Sequence, residues 1–179
     1  HWSLHRGYWN IYTIGYEGTT VEALLDELDR HFVQTLVDVR YMPLSRKAGF
    51  SKNALANLLE VRGIEYRHVK SLGCPTIIRD RYKEDGDWEA YTRSFMQYLE
   101  TQEKAVEELL PLVESSNCCL LCFERDPNFC HRKYVAERLV ERSAAHLSMV
   151  SLYAPAARRA TKPTVDLRTA PLWPGLALP

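Results

Sequence analysis

Apolar and polar positions along the chain fall into short runs of strand character separated by stretches of helical period. Asn10-Ile11-Tyr12-Thr13-Ile14-Gly15-Tyr16 is β-branched and aromatic and then meets Glu17-Gly18, a strand followed by a turn. Val21, Leu24, Leu25 and Leu28 recur at helical intervals, with Thr19 or Thr20 available as a cap, Thr19 and Glu22 at capping-box spacing, and an end near Arg30-His31. Gln34 to Arg40 is a second strand, nearly all apolar until its charged end, as expected of a parallel strand buried on both faces. Tyr41 to Phe50, with Pro43 and Gly49, is a loop; Ser51 then caps a helix carrying Leu55, Leu58 and Leu59, which Gly63 ends.

Ile64 to Val69 is a third strand, and Ser71 to Asp87, with Gly73, Pro75 and Gly86, reads as a long irregular stretch of the kind that is usually functional. Trp88 to Ser116 is helical, with Tyr91, Phe95, Tyr98 and Leu99 on one stripe and Val106, Leu109, Leu110 and Val113 on another, as one helix or two. Cys118 to Phe123 is the fourth strand, Cys130 to Ser143 a helix, and Ser148 to Tyr153 the last strand. Strands alternating with helices predict an α/β fold: one domain over residues 1–153, with a mostly parallel sheet of about five strands flanked by helices. Residues 154–179 hold five of the nine prolines and no periodicity, the pattern of a Pro-rich C-terminal arm.

Composition narrows the class without naming a function. At 179 residues, 46% hydrophobic and 26% charged, the chain matches an ordinary globular domain. No apolar run approaches the roughly 20 residues of a membrane-spanning helix, and His1 to Arg6 lack the apolar centre of a secretory signal. Five cysteines, an odd number without a regular framework, argue against a disulfide scaffold. These features together predict a cytoplasmic protein with no membrane association. The net charge of zero offers no global attraction for a polyanion, but residues 40–83 hold ten Lys or Arg against three Asp or Glu, while residues 84–116 hold two against nine.

Candidate chemistry collects where the strands end. In a parallel sheet the C-terminal strand ends share one edge, to which the chain delivers Tyr16 and Glu17, Asp38 and Arg40, His68 and Lys70, and Cys122, Glu124 and Arg125. That convergence predicts a ligand pocket at this rim, where α/β proteins place their sites. Side-chain parity puts Cys118, Cys122 and Glu124 on one face of the fourth strand and Cys119, Leu121, Phe123 and Arg125 on the other. Cys119 and Cys122 therefore cannot form a zinc knuckle, although Cys122, Cys130 and His131 could converge, with His68 or Cys74 as a fourth ligand. The expectation adopted is no metal and no cofactor. Cys122 is the candidate nucleophile, Glu124 the general acid or base and His131 a proton-transfer group. Asp38, Arg40, Arg46, His68 and Arg132 are candidates for substrate binding, the arginines as forks for phosphate or carboxylate.

Thr13-Ile14-Gly15-Tyr16, Leu36-Val37-Asp38-Val39-Arg40 with Pro43 and Ser45-Arg46, Gly63-Ile64-Glu65-Tyr66, Leu72-Gly73, and Leu121-Cys122-Phe123-Glu124 with Cys130-His131-Arg132 occur in an order that resembles the family catalogued as domain of unknown function 488. The resemblance spans residues 11 to 153 and departs at Tyr16-Glu17, where the family commonly has His followed by Ser or Thr. It implies an intracellular single α/β domain and carries no reaction with it. The residues themselves point first to an enzyme acting on a phosphate-bearing substrate, a nucleotide or nucleic acid. A non-catalytic nucleic-acid-binding or adaptor module is the alternative, and the arm offers a surface for a homodimer.

Overall fold

A computed structural model describes residues 8–158. Its order is β1 (Tyr8–Gly15), α1 (Val21–Arg30), β2 (Thr35–Asp38), α2 (Lys52–Val61), β3 (Glu65–His68), α3 (Thr76–Asp85), α4 (Trp88–Glu100), α5 (Glu103–Val113), β4 (Cys118–Cys122), α6 (Arg132–Arg142) and β5 (His146–Leu152). Short 3-10 turns at Lys70–Leu72 and Pro127–Phe129 lead into α3 and α6.

The five strands form one sheet in the order β3-β2-β4-β1-β5, and every neighbouring pair is parallel. From β1 the chain moves outward to β2 and β3, then returns to insert β4 between β2 and β1 before finishing at β5. With crossovers of one hand, this reversal sends the helices to opposite faces. Side chains of α1 and α2 accordingly share one core with Tyr12, Ile14, Leu36, Cys119 and Leu121. Those of α4, α5 and α6 share the other with Ile11, Val37, Leu120 and Cys122. The predicted parity of β4 is thus observed: Cys118 and Cys122 face one layer, Cys119 the other.

Local chemistry explains most element ends. Thr20, not Thr19, caps α1 by accepting from the Ala23 amide at 3.2 Å, while the Thr19 hydroxyl donates to the Pro155 carbonyl at 2.7 Å. Ser51 occupies the cap position of α2, but its hydroxyl accepts from the Ser45 amide and donates to the Ser45 carbonyl, tying the loop instead of the helix. The helical stretch after Trp88 is two helices, broken at Thr101-Gln102.

The stretch from Ser71 to Asp87 corrects the expectation of a loop, because Thr76–Asp85 is helical. Its polar composition concealed it: no α3 residue is fully buried, so the helix has no clear apolar stripe. The last strand begins two residues earlier than predicted, at His146. The expected arm lies outside the described residues beyond Arg158; before that, the Ala157 amide donates to the Gly18 carbonyl at 2.7 Å. No helix among the described residues is long and apolar enough to cross a membrane.

Candidate functional site

The chain's reversal places β4 between β1 and β2, and helices leave the C-terminal ends of these three neighbours for opposite faces. Loops that diverge in this way leave a crevice beyond the sheet edge. A cleft of about 390 Å³ opens there, within the size range of small-molecule sites. Its floor carries Cys122, Glu124 and His131; Tyr16, Arg40 and Phe123 line it from the strand ends, and Tyr82, Trp88, Tyr91 and Phe129 form an aromatic wall. Within that wall Trp88 stacks on Tyr91 at 4.5 Å between centroids and meets Phe129 edge-on at 5.6 Å. Arg79 and Lys83, one turn apart on α3, supply positive charge to the lining.

Two glycines allow the walls to close on one another. A Cβ on Gly15 would lie 1.8 Å from the Glu124 carbonyl oxygen, so the end of β1 can pass this close to the turn after β4 only without a side chain. A Cβ on Gly73 would come within 2.5 Å of the Tyr41 amide nitrogen, which bounds the other side of the cleft.

The floor is a compact group of thiols, imidazole and carboxylate. The Cys122 Sγ lies 3.7 Å from the His131 Nδ1 and 3.5 Å from the Glu124 Oε2, and the Cys130 Sγ lies 4.0 Å from the same Nδ1. The ligand atoms of Cys122, Cys130 and His131 all lie within 4.8 Å of one another. His131 Nε2 stands 2.7 Å from the Val39 carbonyl, which can only accept, so Nε2 carries a proton and Nδ1 is the atom turned to the sulfurs.

Burial shapes the ionisation of this group. Donation toward Cys130, together with desolvation, pushes the Cys122 thiol well up. Desolvation opposes ionising Cys130, but hydrogen bonds from Cys122 and His131 outweigh it and hold that thiol well below the usual cysteine range. Burial also disfavours a charged His131, yet its contact with Cys130 raises it above the ordinary imidazole value. Burial, reinforced by the charge of Cys130, pushes Glu124 up to about 7.

The Asp38 and Arg40 pair sits at the same edge in a different condition. Arg40 Nε donates to Asp38 Oδ1 at 2.9 Å, Nη2 to Oδ2 at 2.7 Å, and Nη1 to the Phe50 carbonyl at 2.6 Å and the Tyr16 hydroxyl at 3.4 Å. Tyr66 donates to Asp38 Oδ2 at 2.5 Å, and His68 Nε2 lies 2.8 Å from the Arg40 carbonyl. The guanidinium is raised above its ordinary value because Asp38 outweighs the cost of burying it. Asp38 and His68 do not line the cleft.

Arg132 is fully buried; it donates to the backbone carbonyls of Glu124 and Arg125, and its Nε has no partner. It therefore supports the turn that carries Glu124. Arg46 is exposed on the loop after β2 and does not line the cleft. Of the eight site residues read from sequence, Cys122, Glu124, His131 and Arg40 meet in the cleft. Lys83, Trp88, Tyr91 and Phe129 are lining residues that sequence reasoning missed; the four-residue spacing from Arg79 would have signalled Lys83 had α3 been recognised, and no local signal points to the other three.

No curated protein and no solved structure matches the chain. The model of one family does, that described as Domain of unknown function DUF488, and it covers residues 20–139, more than half of the sequence. The Asp38-Arg40 pair, the Gly73 approach and the Cys122-to-Arg132 turn all fall inside the matched span, whereas Tyr16-Glu17 lies before it, and the chain belongs to the DUF488 family.

Proposed function

We propose that this protein is an enzyme acting on a small phosphate-bearing substrate with a flat ring, a nucleotide or the end of a nucleic-acid strand. The observation that carries this is the meeting of thiol, carboxylate and imidazole on the floor of one cleft, at Cys122, Glu124 and His131. Recognition alone does not require three reactive groups within contact of each other. Trp88 and Tyr91 offer a stacking wall for a base, and Arg79 and Lys83 offer charge for a phosphate. Arg40 has a positioning role here: engaged by Asp38 and Phe50, it holds Tyr16 in the wall and leaves the anion to α3.

The competing reading is a nucleic-acid-binding or adaptor module, favoured by the basic segment from Arg40 to Lys83 that borders the cleft. A panel of mononucleotides, dinucleotides and labelled oligonucleotides, followed by mass spectrometry of the products, separates the two. The enzyme reading expects turnover that falls by at least about 100-fold in Glu124→Gln and Cys122→Ser, and a raised KM in Trp88→Ala. Oligonucleotide binding with a steep salt slope, retained by both floor variants and unaccompanied by any product, would overturn it.

A further inference from the structure

We infer that Cys122, Cys130 and His131 form a site for a thiolate-preferring divalent metal, zinc by the chemistry of its donors, with a fourth position open to the cleft. Around a tetrahedral zinc, with Zn–S about 2.3 Å and Zn–N about 2.0–2.1 Å, neighbouring ligand atoms stand roughly 3.5–3.8 Å apart. The two sulfur-to-Nδ1 separations here are 3.7 and 4.0 Å, long for hydrogen bonds and close to the edges of that tetrahedron. All three donor atoms lie within 4.8 Å of one another, so a metal at their centre needs only small side-chain adjustments.

The support around the ligands matches what such a site requires. Metal-bound histidines commonly donate their second ring N–H to a carbonyl or carboxylate, which fixes both tautomer and ring direction. His131 does this through Nε2 to the Val39 carbonyl at 2.7 Å, leaving Nδ1 to the sulfurs. The Phe95 ring packs edge-on against the imidazole at 5.2 Å and holds its plane. Two thiolates and a neutral imidazole around a divalent cation make a net neutral group, which suits burial. Two sulfurs and one nitrogen favour zinc over magnesium or calcium, which take oxygen ligands.

The open position follows from which ligands reach the cleft wall. Cys122 and His131 line the cleft, whereas Cys130 closes the site from behind. Three protein ligands with one face toward a cavity is the arrangement of catalytic zinc, while structural sites complete four ligands from the chain. Glu124, with its Oε2 3.5 Å from the Cys122 sulfur, stands beside that open face and would orient whatever group occupies it. His68 and Cys74 do not supply the fourth ligand: His68 does not line the cleft, and among the described residues the donor atoms near enough to share an ion are those of Cys122, Cys130 and His131. The inference rests on the proposed function for what the metal would face, not for the ligands themselves. With a metal bound, Cys122 acts as a ligand and not as a nucleophile.

The test uses the full chain purified under reducing conditions, stripped with a chelator and reloaded with zinc or cobalt alone. Expected are one equivalent of zinc per chain by elemental analysis, and a cobalt derivative with the intense visible bands of tetrahedral coordination and a thiolate-to-metal charge-transfer band. Cys122→Ala and His131→Gln should each weaken zinc by more than about 100-fold, while Cys119→Ala, whose thiol faces the opposite layer, should bind zinc and give the cobalt spectrum unchanged. Circular dichroism of the stripped variants controls for folding, and the two ligand variants guard against one of them failing to fold. A folded wild-type chain that takes up no zinc, a cobalt spectrum without the thiolate band, or binding that survives Cys122→Ala overturns the site. One equivalent of zinc on a protein that turns over no substrate supports the site and removes the function proposed above. Turnover by a chain that binds no zinc does the reverse.

Discussion

Two constellations of ionisable side chains stand at the same edge of the sheet and have opposite characters. At the end of β2, Asp38, Arg40, Tyr66 and His68 are joined into a closed network, in which each oxygen of Asp38 accepts at least two hydrogen bonds and Arg40 is engaged through all three of its nitrogens. At the end of β4, Cys122, Cys130, His131 and Glu124 form a chain of contacts at longer distances, and all but Cys130 line an open cleft. Residue type alone does not separate them, since each has a carboxylate and an imidazole. What differs is how much hydrogen-bonding and ligating capacity remains after the protein's own partners are counted. A closed network stabilises a fold; an open one is free to act on something else.

The largest test of this contrast is to remove the anion of the closed network. Asp38→Ala leaves the Arg40 guanidinium buried without a counter-charge and is expected to cost about 3–5 kcal/mol in urea unfolding. Glu124→Gln, at the same edge of the sheet but only half-buried, should cost less than about 1 kcal/mol while removing the proposed activity. Equal losses for the two would erase the distinction.

Gly15→Ala probes the support of the open group alone, from the side of β4 away from β2, because its Cβ would strike the Glu124 carbonyl. The expected cost is about 1–3 kcal/mol, together with weaker ligand binding, as the turn carrying Glu124 must move. Stability measured by denaturation and affinity measured by calorimetry should fall together. A loss of stability with unchanged affinity would mean the turn does not position the floor.

Tyr66→Phe removes a single hydrogen bond to Asp38 and should cost about 1 kcal/mol, without effect on turnover or metal content, since Tyr66 does not line the cleft. The smallest stability effect belongs to Arg79→Ala and Lys83→Ala. Both residues are exposed on α3, so each should change unfolding by no more than about 0.5 kcal/mol. Each should nevertheless weaken a phosphate-bearing ligand by roughly tenfold, or about 1.4 kcal/mol. Affinity unchanged in the double variant would remove α3 as the proposed phosphate site.

Much of the fold could be read along the chain because its central strands are nearly continuous apolar runs and α1 and α2 alternate with them at clear intervals. The parity of β4 was legible for the same reason: a period of two sends Cys119 and Cys122 to opposite layers whatever the surroundings. Helix α3 was not legible, since periodicity reports burial and none of its residues is fully buried. That omission hid the pairing of Lys83 with Arg79, while the aromatic wall escaped notice because its members are scattered over α3, α4 and the turn before α6.

Sequence by itself determined the class of fold, the strand ends at which chemistry would gather, and the set of reactive residues delivered there. These follow from local periods and from the rule that parallel strands end on one edge. Only the tertiary structure decided which of those residues remain available. The order β3-β2-β4-β1-β5 brings the ends of β1, β2 and β4 together. Packing then commits Arg40 to Asp38 and Arg132 to backbone carbonyls, and aims the Nδ1 of His131 at two sulfurs. Availability depends on distances in space, whether between near neighbours such as Asp38 and Arg40 or across the chain as between His131 and Val39, and no hydrophobic period encodes those.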